Sequence, residues 1–401
     1  MHKPFNLNPR KLVNRTVLAL ASVSLVLAGC NQTTEQQSAT TTETPEPETM
    51  KTTMLYVGTY AKPDDESIHL YSLNPETGEL MRVSGFKAGE NPSYLALDGN
   101  YLYAVNETQE FEGRKSGAVS AFAVEEDGKK LSLLNRMPSE GGAPCYISVV
   151  DNTVLVANYV GGNVAALPLQ ENGQLGQPSM VQHNGAGPNK ERQQGPHAHF
   201  IAPSPDGKYS FAVDLGTDKV LGYKVENGKL VQNSPEEAYA SKPGSGPRHM
   251  AFHPNGKHAY LVHELNSTMT ALAYDAGKGT FTEIQTVTTL PADYEEDNYP
   301  AAVKVSPDGK FLYGSNRGHN SVVVYAIEEG TGRLTLVQHV STGGDWPRDF
   351  AIDPSGSILL VANERSNNIT SFKIDKATGK LTATSHEAQV QKPVNIVFKD
   401  K

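Results

Sequence analysis

The chain has 401 residues, 38% of them hydrophobic, with two cysteines and a formal charge of −9. An acidic surface is a poor partner for nucleic acid or anionic lipid, since both need clustered Lys and Arg to displace counterions, and two cysteines cannot build a disulfide framework. Stability must then come from a large apolar core, divided among several domains or wrapped into one closed repeat.

At the N-terminus Lys3, Arg10, Lys11 and Arg15, with no acid among them, precede the apolar stretch from Val17 to Ala28. That is the charged head and apolar middle of an export signal, too short to span a bilayer. It ends in Leu27-Ala28-Gly29-Cys30, which resembles a bacterial lipobox. The resemblance implies that residues 1–29 are removed, that Cys30 becomes the lipidated first residue, and that the chain is exported and held at the bacterial cell envelope by its lipid alone. An ordinary secretory peptide cut nearby, with Cys30 incidental, is the plainer alternative. Loss of residues 1–29 removes four basic residues and no acid, lowering the formal charge from −9 to −13. Residues 30–53, rich in Thr, Glu, Gln, Ser and Pro, cannot bury enough surface to offset their conformational entropy and read as a disordered tether. With Cys30 lipidated, Cys145 has no intramolecular partner.

From 54 to 401 the chain repeats itself. Pro92, Pro144, Pro196, Pro247, Pro300, Pro347 and Pro393 each open a short apolar strand, at separations of roughly fifty residues. Turn signals recur behind them: Ser-Pro-Asp-Gly at Ser204 and Ser306, His-Pro-Asn-Gly at His253, Asp-Pro-Ser-Gly at Asp353. Proline presets the first turn position and glycine takes the positive φ. The strands between are β-branched and aromatic, as in Val322-Val323-Val324-Tyr325, and helical periodicity is absent beyond the signal. The spacing predicts an all-β chain, a seven-bladed β-propeller of four-stranded blades. The last opener, Pro393 to Phe398, has no blade behind it, and the first unit, from Met54, lacks a proline-led inner strand. The C-terminal strand is therefore expected to complete the N-terminal blade.

In such a ring the connectors into each inner strand and those after each second strand share one face. The residue after the repeated proline is Ser93, Cys145, His197, Arg248, Ala301, Arg348 and Val394, and the second strands end in Asn106-Glu107, Asn158-Tyr159, Asp214-Leu215, His263-Glu264, Asn316-Arg317 and Asn363-Glu364. The asparagines read as turn residues bonding backbone. Arg348 beside Asp349, and Glu364 beside Arg365, read as solvated pairs, although Arg348 also stands among candidate substrate contacts with His199 and His249. His197, Arg248, Glu264 and Arg317 vary where a structural role would repeat. His197-Ala198-His199 could hold a metal only with a third ligand, and no spacing supplies one. His199 occupies a position that is apolar in the other repeats (Leu95, Ile147, Met250, Val303, Phe350 and Ile396) and reads equally as a core histidine. No metal or cofactor is expected.

The stretches Gly195-Pro196-His197-Ala198-His199, Gly246-Pro247-Arg248-His249 through His263-Glu264, and Ser306-Pro307-Asp308-Gly309 through Asn316-Arg317 resemble the lactonase family of seven-bladed propellers, over essentially all of residues 54–398. The resemblance implies 6-phosphogluconolactonase-like hydrolysis of a sugar lactone, with a carboxymuconate cyclase-like activity as the alternative, and carries the catalytic role to His197, Arg248, Glu264 and Arg317. His197 or Glu264 is then the base acting on water, Arg248 the oxyanion partner, and Arg317 a clamp on a substrate carboxylate or phosphate. No Gly-x-Ser-x-Gly elbow presents a serine nucleophile. An export signal sits poorly with an intracellular sugar phosphate, so a non-catalytic envelope propeller that binds an anionic sugar acid or a protein partner is the rival class. A monomer is expected.

Overall fold

The computed structural model describes residues 52–399. The signal, Cys30 and most of the tether lie outside them. Among the described residues, seven four-stranded antiparallel sheets follow the chain from the innermost strand outward. In the fifth blade these strands are Pro247–Phe252, His258–His263, Thr268–Asp275 and Thr280–Thr288. The one helical turn described is the 3-10 segment Glu126–Gly128. The expected closure is present: Pro393–Phe398 pairs antiparallel with Thr53–Thr59, Tyr56 opposite Val397. Each innermost strand packs against the next around the whole circle, Leu95–Asp98 meeting Pro393–Phe398.

The strand sequences explain the layering. A second strand is sandwiched between neighbouring blades, so Phe311–Arg317 and Thr153–Asn158 are buried along their whole length. The outermost strands, such as Leu381–Gln389, are half exposed. The core is accordingly a set of wedges between blades. Tyr260, Val262 and Met269 of the fifth blade pack on Leu312, Val323 and Tyr325 of the sixth. A repeated latch joins blades through polar atoms: the hydroxyls of Tyr56, Tyr103, Tyr260 and Tyr313 donate to the carbonyls of Gly128, Gly173, Gly332 and Gly379 at 2.8, 3.1, 3.2 and 3.1 Å. Gly379 has φ +72°, and a Cβ there would fall 2.3 Å from the Phe311 ring, so the latch needs glycine.

Three of the strand-end asparagines bond backbone, as their type predicts, but that of the incoming connector rather than of their own turn, whereas Asn363 donates to the Thr370 hydroxyl. Asn106 donates to Ala88 and Glu90, Asn158 to Ser139 and Asn316 to Thr289. Each ties down the segment that enters its own blade at the cleft face.

Candidate active site

A β-bulge sets the direction of the inner side chains. In the fifth blade Pro247 pairs with His263 and His249 with Val262, leaving Arg248 unpaired between them. Cys145 and Arg348 are skipped in the same way. Such bulges re-aim a side chain at the rim of a closed sheet. In the fourth blade the skipped residue is His199, because Ala198 pairs with Asp214 and Phe200 with Val213. His199 is thus the counterpart of Arg248 in the ladder, correcting its alignment with apolar core positions. His197 precedes the strand.

Glu264 is the centre of the cleft. Its Oε2 accepts from Arg317 at 2.7 Å and lies 3.2 Å from Arg248 Nε, while Oε1 accepts from Arg192 at 2.5 Å. Burial alone would raise its pKa, but Arg317, Arg248, His199 and Arg192 together hold the carboxyl well below the usual carboxylate range. Arg317 is oriented by the Tyr299 carbonyl at 2.9 Å. Arg248 donates to the Ala301 carbonyl at 2.5 Å and to His249 Nε2 at 3.2 Å. Burial, reinforced by the charges of Arg317 and Arg348, pulls its pKa down to about 9, which leaves it charged at neutral pH. The depths differ: the side chains of Arg248 and Arg317 are 2% and 6% exposed, those of Arg192 and Arg348 34% and 17%.

His197 stands at the edge of this cluster. Its ring stacks on Tyr159, centroids 4.6 Å apart, and Tyr159 Oη accepts from Arg192 at 3.3 Å. Nδ1 lies 2.9 Å from the Tyr159 carbonyl. A carbonyl only accepts, so Nδ1 carries the proton and Nε2 is the basic nitrogen of the neutral ring. Asp214 fixes the backbone: Oδ1 accepts from the His197 and Thr217 amides at 2.9 and 3.0 Å, and Oδ2 lies 2.6 Å from His183 Nδ1.

His199 and His249 lie beneath the arginines, each 5% exposed, with ring centroids 5.2 Å apart. Burial and the Arg248 charge hold both well below the ordinary imidazole range, hence neutral. His249 Nε2 is occupied by Arg248, and His199 Nδ1 is 3.6 Å from Cys145 Sγ. Burial pushes the Cys145 thiol up, away from nucleophilic duty. Among the described residues no three His, Cys, Asp or Glu side chains gather as a metal ion requires.

Arg348 is not the solvated partner of Asp349. It lies over the Tyr60 ring at 5.3 Å and 3.9 Å from Glu107, whereas Asp349 is buried, accepts from Asn395 at 2.8 Å and forms an ion pair with Lys304 at 3.2 Å. Glu107 in turn accepts from Ser93 at 2.5 Å and Tyr60 at 3.0 Å. Arg365 likewise leaves Glu364 and stacks on Trp346, its Cζ 3.3 Å from the ring centroid. Sequence reasoning missed Arg192, Tyr60 and Trp346. Arg192 belongs to the long connector before the fourth blade, which has no counterpart in the other repeats. Trp346 carried one signal, as the single tryptophan of the chain.

A family model described as lactonase, 7-bladed β-propeller, matches residues 54–398. The chain is 39% identical over 300 residues to the 6-phosphogluconolactonase of Bacillus subtilis, covering 74% of this chain and 83% of that one. Among solved structures it is similar to a Bacteroides fragilis protein provisionally assigned as a 6-phosphogluconolactonase, at 37% identity and a TM-score of 0.82, over 88% of this chain and all of that one. It is also similar to the periplasmic gluconolactonase of Pseudomonas aeruginosa, at 31% identity and a TM-score of 0.81, over 87% and 99% of the two chains. The chain therefore belongs to the seven-bladed β-propeller lactonase family.

Proposed function

We propose that this protein hydrolyses an aldonolactone in the central cleft, with His197 as the base. The observation that carries the reading is the division of labour between the two candidate bases. Both Glu264 oxygens are engaged by guanidiniums, and a carboxylate held so acidic is a weak proton acceptor. His197 keeps its proton on Nδ1 and has Nε2 free to take one from water. The water attacks the lactone carbonyl. The resulting imidazolium then returns its proton to the ring oxygen as the acyl C–O bond breaks, yielding the open acid and restoring the neutral ring.

The burial order supports a division of roles among the arginines. Arg192, beside Tyr159 and so beside His197, meets the charge developing on the carbonyl oxygen. Arg348 reaches the substrate's outer substituents. Arg248 and Arg317 form the floor, keeping Glu264 ionised and Arg192 in place, so the direct contacts lie further out than the family resemblance implies. Four arginines against Glu264 and Glu107 suit an anionic product.

For location, residues 1–30 and the periplasmic relative support an exported protein anchored through Cys30. The function is tested with a panel of aldonolactones and their phosphates, monitored by pH-stat against spontaneous hydrolysis. Wild-type turnover is expected. Arg192→Ala should lose about 10²–10³-fold in kcat, as for removal of an oxyanion donor, and His197→Ala about 10²–10⁴-fold, as for removal of a general base. Tight binding of the open acids with no turnover of any lactone would instead identify a binding module.

A further inference from the structure

Beside the cleft lies a groove of about 600 Å³ that the mechanism does not use. It is bounded by the connector after the strand Thr53–Thr59 and by Asn91 and Lys392, which precede inner strands. These are cleft-face connectors, so groove and cleft open on the same side. They share a wall. Tyr60 lines the groove, yet its hydroxyl donates to Glu107 at 3.0 Å and its ring carries Arg348 at 5.3 Å. Asn91 also lines it and donates to the Glu107 carbonyl at 3.3 Å.

The electrostatics of the two spaces differ. The cleft has more guanidiniums than carboxylates, whereas the groove sets Lys62, Arg82 and Lys392 against Asp65, Glu66 and Glu90 and is balanced. Its walls offer two phenol rings, Tyr60 and Tyr71, among alternating donors and acceptors. His69 adds a buried Nδ1 with no hydrogen-bond partner in the protein, which calls for an explanation in a folded structure. Burial and the neighbouring Arg82 lower the pKa of His69, so at neutral pH the ring carries one donor and one acceptor nitrogen. Balanced charge, mixed donors and acceptors and the half-buried Tyr60 ring in the wall suit a neutral polyhydroxylated ring. The volume lies within the range of small-molecule sites.

We propose that the groove binds a glycosyl substituent of the substrate, so that the lactone in the cleft is the oxidised reducing-end ring of a disaccharide or longer sugar. The inference rests on the lactonase reading for the identity of the ring in the cleft, and is separable from it by experiment. With the full chain, calorimetry compares gluconate with cellobionate, and turnover compares D-glucono-1,5-lactone with cellobiono-1,5-lactone. Cellobionate is expected to bind at least about tenfold more tightly, a difference of about 1.4 kcal/mol. In His69→Ala, and in the exposed pair variants Glu66→Ala and Arg82→Ala, which have no buried role in folding, that advantage should shrink to about twofold or less, with gluconate affinity unchanged. Equal affinity of the two acids for wild type overturns the proposal, as does an advantage that survives in all three variants. Failure of the hydrolysis reading is seen separately, as no turnover of either lactone, while the acid affinities still decide the groove.

Discussion

Glu264→Gln keeps the shape of the side chain and removes the one charge that Arg192, Arg248 and Arg317 share. Arg192 is a third exposed and can turn to solvent, so its share is that of a surface pair, about 0–1 kcal/mol. Arg248 and Arg317 cannot, and leaving buried charges uncompensated costs about 3–5 kcal/mol. We expect a loss near the lower bound, about 3 kcal/mol, since two of the guanidiniums retain backbone carbonyl partners. Urea unfolding followed by circular dichroism should show a lower midpoint with an unchanged slope. The pH dependence gives a second reading. The folded-state pKa of Glu264 is depressed, so its contribution is fully present above the unfolded carboxylate value of about 4.3. It is lost as pH falls below that value toward the depressed one, at up to about 1.4 kcal/mol per pH unit. The gap between wild type and variant should therefore be flat near neutrality and close in acid. A Gln variant as stable as wild type at pH 7, or a gap that persists in acid, refutes the account of Glu264 as a counterion.

Tyr313→Phe removes the latch to Gly379 and strands a buried carbonyl, so thermal or urea unfolding should register a loss of about 1–2 kcal/mol. Trp346 has φ +66°, a rare conformation for a bulky residue, with Arg317 at 5.4 Å and Arg365 at 3.3 Å from its ring. As the chain's single tryptophan it should report occupancy of the cleft, its emission changing saturably with gluconate; constant emission while calorimetry records binding would place the ligand elsewhere. With the proposed anchor, Cys30→Ser should move the protein from the membrane fraction to the soluble fraction, and unchanged fractionation would remove the lipid anchor.

The fold was readable because a ring repeats its grammar. Seven proline-led openers, Pro-x-Gly turns and an orphan strand after Pro393 are each local signals, and the surplus strand at one end matches the deficit at the other, which is why closure through Tyr56 and Val397 could be expected. The latches were not readable. Tyr313 and Gly379 are 66 residues apart, and nothing in either neighbourhood marks the hydrogen bond between them.

The site was half readable, for a geometrical reason. Comparing residues after each proline finds Arg248 and Arg348 because those prolines open the ladder and the next residue falls on the bulge. In the fourth blade Pro196 stands before the strand, so the comparison aligns His197 with Arg248 although His199 occupies that place. The misalignment is informative about mechanism. A residue on the bulge, such as Arg248, is buried, with its Nη1 turned to the Ala301 carbonyl and His249 and its Nε beside Glu264. A residue one step before the ladder is held at its amide by Asp214 and at Nδ1 by Tyr159, and its remaining nitrogen is left to the cleft. The register offset that hides His197 from the repeat thus separates the proposed base from the arginine floor, whose guanidiniums are turned to Glu264.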